Sequence, residues 1–91
     1  MVEIEILTAP GCHGCDRAKT LVAEIVERLS KDFPGLSWKT TDLTEHPELI
    51  IKYGIMSTPA IVFDGNLEFR GVPKEKQLVE KIQKYKSKVM A

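Results

Sequence analysis

The sequence is short of cysteine, with two in 91 residues. A small secreted module held by disulfides needs more, so that class is excluded. It has no charge of one sign to spare, because 13 basic residues balance 13 acidic ones. A protein that coats nucleic acid would show a large basic excess, so no nucleic-acid partner is expected. No apolar run approaches the ~18–20 residues a membrane helix needs. Glu3 and Glu5 fall where a signal peptide requires a basic start and an unbroken apolar stretch. The expectation is a cytoplasmic protein without membrane contact. There is no internal repeat and no low-complexity tract.

What remains is enough for one domain over residues 1–91, acting as a monomer. The apolar fraction, 43%, supplies a compact core. The neutral total also hides an asymmetry. From Pro73 onward six lysines face Glu75 and Glu80, a net of +4, which leaves −4 on residues 1–72. A solvated helix face with cations near its C-terminus accounts for this, since the helix dipole favours them there. Docking to an acidic partner is the alternative.

The order of elements follows from periodicity. Over residues 2–7, Val2, Ile4 and Ile6 alternate with Glu3, Glu5 and Leu7, which predicts a strand whose end is buried on both sides. Thr8-Ala9-Pro10-Gly11 breaks it. From about Cys12 the period changes. Ala18, Leu21, Val22, Ile25, Leu29 and Phe33 follow helical spacing, and Pro34-Gly35 stops the helix. Residues 36–42 alternate again, with Leu36, Trp38 and Thr40 on one face. His46-Pro47 opens a short helix with Leu49, Ile50 and Tyr53 as its apolar stripe, closed by Gly54. Ala60-Ile61-Val62-Phe63 is an apolar strand. Asp64-Gly65-Asn66 turns it back into Leu67-Glu68-Phe69-Arg70. A last helix after Pro73 buries Leu78, Ile82 and Tyr85, with Val79 flanking. The predicted fold is α/β, ordered β-α-β-α-β-β-α. Its four-stranded mixed sheet is covered by three helices, and its first two strands are parallel through a right-handed crossover.

The two cysteines sit three apart, as Cys12-His13-Gly14-Cys15, where the first strand meets the first helix. The first N–H groups of a helix lack partners and carry the positive end of the dipole. A Cys12 thiolate is stabilised there, so Cys12 is the candidate attacking thiol. Cys15, one turn further in, is the candidate resolving thiol that closes a small disulfide ring. Gly11 and Gly14 keep bulk away from an approaching sulfur. His13 as an imidazolium would favour the thiolate, and as a plain loop residue would do little; both readings stand. Asp16 opposes the thiolate and Arg17 offsets Asp16. The spacing also fits half a metal site or two incidental thiols. A tetrahedral site needs about three or four protein ligands, and the other histidine, His46, reads as a helix-start residue. No metal site within one chain is assigned. A metal or iron–sulfur module using Cys12 and Cys15 is the alternative function.

Residues 46–63 read His-Pro-Glu-Leu-Ile-Ile-Lys-Tyr-Gly-Ile-Met-Ser-Thr-Pro-Ala-Ile-Val-Phe. With the C-x-x-C before it, then Asp64-Gly65, Arg70-Gly71 and Lys76-Gln77-Leu78 after it, this resembles the thioredoxin superfamily along essentially the whole chain. The small thioredoxin- and glutaredoxin-like proteins of prokaryotes resemble it most in layout. The resemblance implies a thioredoxin fold and a cis bond between Thr58 and Pro59. It also implies a loop at Thr58 and Pro59 that pairs with an extended substrate facing the cysteines. The implied function is a thiol–disulfide oxidoreductase that reduces protein disulfides or relays electrons. Its redox group is the Cys12–Cys15 pair, with no separate cofactor. The implied partners are disulfide-containing proteins and an upstream reductase or low-molecular-weight thiol.

Four departures from the family stand out. Gly11 replaces the aromatic residue before the first cysteine. His13-Gly14 replaces Gly-Pro, and Asp16 stands where a basic residue is common. Ile6 occupies the position of a buried carboxylate, and Glu5 has the wrong strand parity to replace it. Gly71 is followed by Val72-Pro73 rather than by the second glycine and acidic residue with which glutaredoxins hold glutathione.

Overall fold

The structure is a computed structural model that describes residues 2–90. Its elements are β1 (Val2–Thr8), α1 (Cys15–Leu29), β2 (Leu36–Asp42), α2 (Glu48–Tyr53), β3 (Ala60–Phe63), β4 (Asn66–Arg70) and α3 (Glu75–Met90). The sheet runs β2-β1-β3-β4. β1 and β2 are parallel, from Val2 opposite Leu36 to Thr8 opposite Asp42. β3 is antiparallel to both β1 and β4, with an irregularity between Ile61 and Val62. The α/β architecture with a four-stranded mixed sheet and three helices is the one the periodicity predicts.

Strand parity divides the core in two. Val2, Ile4, Ile6, Ile61 and Phe63 pack against α1 and α3 through Ala18, Val22, Ile25, Leu78 and Ile82. Leu7, Ala60 and Val62 face the other way and meet Leu43, with Leu49 and Tyr53 of α2 packed against them. Leu7 is fully buried, as the two-sided end of β1 requires.

Boundaries move where local bonds compete with periodicity. α1 is shorter than the spacing predicts, at both ends. The Cys12 N–H donates to Ala9 O in a turn, Gly14 is the N-cap, and the first helical bond runs from Ala18 N to Gly14 O. At the other end Ser30 caps the helix, and the N–H groups of Asp32 and Phe33 both donate back to Leu29 O. Phe33 stays buried through that turn, so its apolar position extends the periodicity beyond the helix. Thr40, expected on the apolar face of β2, is exposed. Pro47 is the N-cap of α2 rather than its first helical residue. Ile50, expected in the buried stripe of α2, is exposed.

Parts of the lysine-rich final helix are used inside the fold. Lys81 Nζ lies 3.0 Å from Glu68 Oε1, and Lys88 Nζ lies 5.3 Å from the Tyr85 ring centroid. The Tyr85 hydroxyl donates to Glu68 Oε2. Burial would raise the Glu68 pKa, but the bonds from Tyr85 and Lys81 outweigh it and hold it below the usual carboxylate value. Burial, then the Glu68 carboxylate, push Tyr85 up to about 12.

Candidate active site

Three loops meet at one end of the sheet. The first, Ala9–Gly14, follows β1 and carries the leading cysteine. Its last residue caps α1, so α1 begins at Cys15 itself. Cys12 and Cys15 are joined as a disulfide, their Cα atoms 5.6 Å apart. Cys15 is 5% exposed, whereas Cys12 is half-buried. The outer sulfur therefore belongs to Cys12, three residues ahead of the helix rather than on it.

The second loop, Ser57–Pro59, leads into β3. The Thr58–Pro59 peptide bond is cis, Thr58 is half-buried and Pro59 is buried. The third loop, Gly71–Pro73, joins β4 to α3. The Gly71 N–H donates to Pro59 O at 2.7 Å, which ties the second loop to the third. Gly14 closes the ring of loops. A Cβ placed on it would lie 3.0 Å from Val72 Cγ2 and 3.1 Å from Pro59 Cδ. The structure thus brings Cys12, Cys15, Gly14 and Pro59 together, with Thr58 beside them.

The flanking residues divide differently. Gly11 is exposed, with φ 75° and nothing near its missing side chain. His13 is exposed in the disulfide loop. The Asp16 carboxylate faces solvent and lies 3.6 Å from Lys19 Nζ, so its partner is Lys19 and not Arg17. Arg17 instead lines an open groove with Leu21, Val72 and Pro73. Ile6 is fully buried in the larger core. Glu5 sits on the opposite face of β1 and accepts a 2.6 Å bond from Thr41 Oγ1. His46 does not cap α2 through its side chain; its Nδ1 lies 3.2 Å from Glu48 Oε1. Among the described residues, no three His, Cys, Asp or Glu side chains converge. A tetrahedral metal centre within one chain would lack half its ligands.

A second groove, of about 420 Å3, opens beside Thr58. Ala9, Leu43, Pro47, Ile50, Ile55 and Met56 line it. Met56 is 89% exposed, an unusual setting for a large apolar side chain. Periodicity reveals neither this groove nor Val72, because Val72 and most of the groove belong to loops. Among the described residues no helix is long and apolar enough to cross a membrane.

The comparisons with known proteins agree with this geometry. The family model for the thioredoxin domain matches residues 2–83. The chain is 36% identical to a thioredoxin of Methanocaldococcus jannaschii over 83 residues, covering 91% of this chain and 94% of that one. It is 34% identical to a probable thioredoxin of Methanothermobacter thermautotrophicus, covering 90% and 93%. Among solved structures, a protein disulfide oxidoreductase from Aeropyrum pernix k1 superposes with a TM-score of 0.74 at 33% identity. That match spans 88% of this chain and 35% of the other. A thioredoxin from Halobacterium salinarum shares the fold, with a TM-score of 0.73 at 22% identity over 93% of this chain and 74% of that one.

Proposed function

The chain belongs to the thioredoxin domain family, and we propose that Cys12 attacks and Cys15 resolves in a thiol–disulfide oxidoreductase acting on proteins. The observation that carries this assignment is the unequal burial of one disulfide. Cys12 is half-buried whereas Cys15 is 5% exposed, so Cys12 is the more accessible of the two.

In the reduced protein the Cys12 thiolate attacks one sulfur of the substrate disulfide. That S–S bond breaks, a mixed disulfide forms, and the departing substrate thiolate takes up a proton. The Cys15 thiolate then attacks the Cys12 sulfur. This releases the second substrate thiol and leaves the Cys12–Cys15 disulfide. The substrate gains two electrons and two protons, and the pair loses them. An upstream reductase, or two equivalents of a low-molecular-weight thiol that leave as their disulfide, restores the reduced form by the reverse steps. The disulfide is itself the redox group, so the cycle uses no separate cofactor.

The start of α1 at Cys15 places unpartnered N–H groups and the positive dipole end beside both sulfurs, which favours the thiolate. Ile6 leaves no carboxylate behind Cys15 to take a proton, so the resolving step exchanges its proton with solvent. The backbone at Thr58 pairs with an extended substrate segment, which supplies affinity without demanding a sequence. The adjoining groove receives an apolar side chain of that segment. The domain over residues 1–91 works as a monomer in the reducing cytoplasm, where a close cysteine pair cycles rather than serving as a staple. It needs neither nucleic acid nor a membrane.

The test is reduction of insulin with dithiothreitol as electron source. Cys12→Ser abolishes turnover. Reduced Cys15→Ser, freed of dithiothreitol before insulin is added, stops after the first attack and traps substrate as a mixed disulfide. Turnover retained by Cys12→Ser would sink the assignment.

A further inference from the structure

One tight fit in the site involves neither sulfur. Gly14 lies between Pro59 and Val72 with little room for a side chain, since its Cβ would stand 3.1 Å from one and 3.0 Å from the other. Either distance forces a neighbour to yield. Both neighbours are constrained, the buried Pro59 more than the half-buried Val72. Pro59 is buried, and its ring fixes its own φ. Val72 is β-branched, packs against the larger core, and is held between Gly71 and the buried Pro73. Gly71 has φ 96°, a conformation side chains rarely allow, so the turn that delivers Val72 depends on glycine. The 2.7 Å bond from Gly71 N–H to Pro59 O ties the two neighbours to each other. Together they confine Gly14 on two sides.

We infer that Val72 is a positioning residue for disulfide exchange, because Val72 and Pro59 together clasp Gly14 and so set where Cys12 sits relative to the substrate loop at Thr58. Val72 touches no reacting atom. It acts through Gly14, one of the two residues between Cys12 and its partner. Attack requires the thiolate, the substrate sulfur and the leaving sulfur to align, and a docked protein substrate has its own sulfur fixed by the Thr58 backbone. A displaced disulfide loop therefore harms docked substrates most. A small disulfide can adjust its approach to wherever Cys12 lies.

This inference rests on the exchange function proposed above, and the experiment separates the two. Insulin reduction is compared with reduction of dithionitrobenzoate, a small aryl disulfide, for the wild type, Val72→Ala, Gly14→Ala and the double variant. Gly14→Ala lowers the insulin rate about tenfold, the scale expected from a loop displaced by a fraction of an ångström. Val72→Ala leaves Gly14 without backing and lowers it several-fold. In both, the ratio of the insulin rate to the aryl-disulfide rate falls. In the double variant the Val72 methyl groups are gone, the new Cβ has room on that side, and the insulin rate rises above that of Gly14→Ala. Thermal melts identify a variant that fails to fold. If Gly14→Ala is one, Val72→Ala against the wild type decides alone. The inference is overturned if Val72→Ala leaves the rate ratio unchanged, or if a folded double variant is no faster than Gly14→Ala. A wild type without turnover on either disulfide would overturn the exchange function itself.

Discussion

The two faces of the sheet are covered unequally. Toward α1 and α3, Ile4, Ile6, Val22, Ile25, Phe63, Leu78 and Ile82 are sealed from water. Toward α2 the buried set is Leu7, Leu43, Ala60 and Val62, and α2 itself buries no residue fully. The first face uses its apolar side chains on each other. The second leaves Ile50, Ile51 and Met56 at the surface, and Ile50 and Met56 line the groove beside Thr58. The thicker face supplies most of the buried core, and the thinner one leaves apolar side chains exposed.

The sharpest way to separate the faces is to empty each. Phe63→Ala removes a ring that packs edge-on to Phe69 and lies 4.9 Å, centroid to centroid, from Tyr85. It should cost about 3–5 kcal/mol in denaturant titration, a large share of the stability of a domain this size. Leu49→Ala on the thinner face removes a half-buried side chain and should cost about 1–2 kcal/mol, because water already reaches it. Equal costs would dissolve the comparison.

A smaller effect tests the rim of the thicker face by pH. Tyr85 has a folded pKa of about 12 against an ordinary 10, so its neutral form is favoured on folding. That contribution is complete below pH 10 and is lost as pH rises through about 12. Glu68 is the opposite case. Its lowered pKa contributes stability above the ordinary carboxylate value, and the contribution fades as pH falls through the folded one. Tyr85→Phe should cost about 1 kcal/mol at neutral pH and flatten the loss of stability between pH 10 and 12. An unchanged alkaline limb in pH-dependent melts would show that the hydroxyl contributes nothing.

Most of this organisation is legible in the sequence, for a physical reason. Alternation at Val2, Ile4 and Ile6 and helical spacing from Ala18 to Leu29 record which side of an element meets apolar neighbours. Residues brought together by loops leave no such record. Cys12 and Cys15 are visible because they are close in sequence. Thr58 and Pro59 became visible only through the family resemblance. Val72 follows a strand and precedes a helix, and no period connects it to Gly14. Phe33 misleads in the opposite direction, because a residue buried by a turn mimics another helical step. Asp16 finds Lys19 rather than Arg17 because side chains three apart on a helix are neighbours and adjacent ones are not.

The smallest effect on stability carries the most functional information. Met56 and Ile51 are both apolar and almost fully exposed, at 89% and 87%. Serine at either position should change stability by less than about 0.5 kcal/mol, since little is buried to lose. They differ in one respect: Met56 lines the groove beside Thr58, whereas Ile51 does not. If that groove receives an apolar side chain of a protein substrate, Met56→Ser raises KM for insulin several-fold. It leaves kcat alone, because contacts made equally in ground and transition states affect binding only. Ile51→Ser leaves both constants unchanged. Equal rises in KM would mean that general surface apolarity, and not the groove, attracts the substrate. No rise in either would confine substrate recognition to the Thr58 backbone and the disulfide. In that case the thinner face would be thin for reasons unrelated to binding.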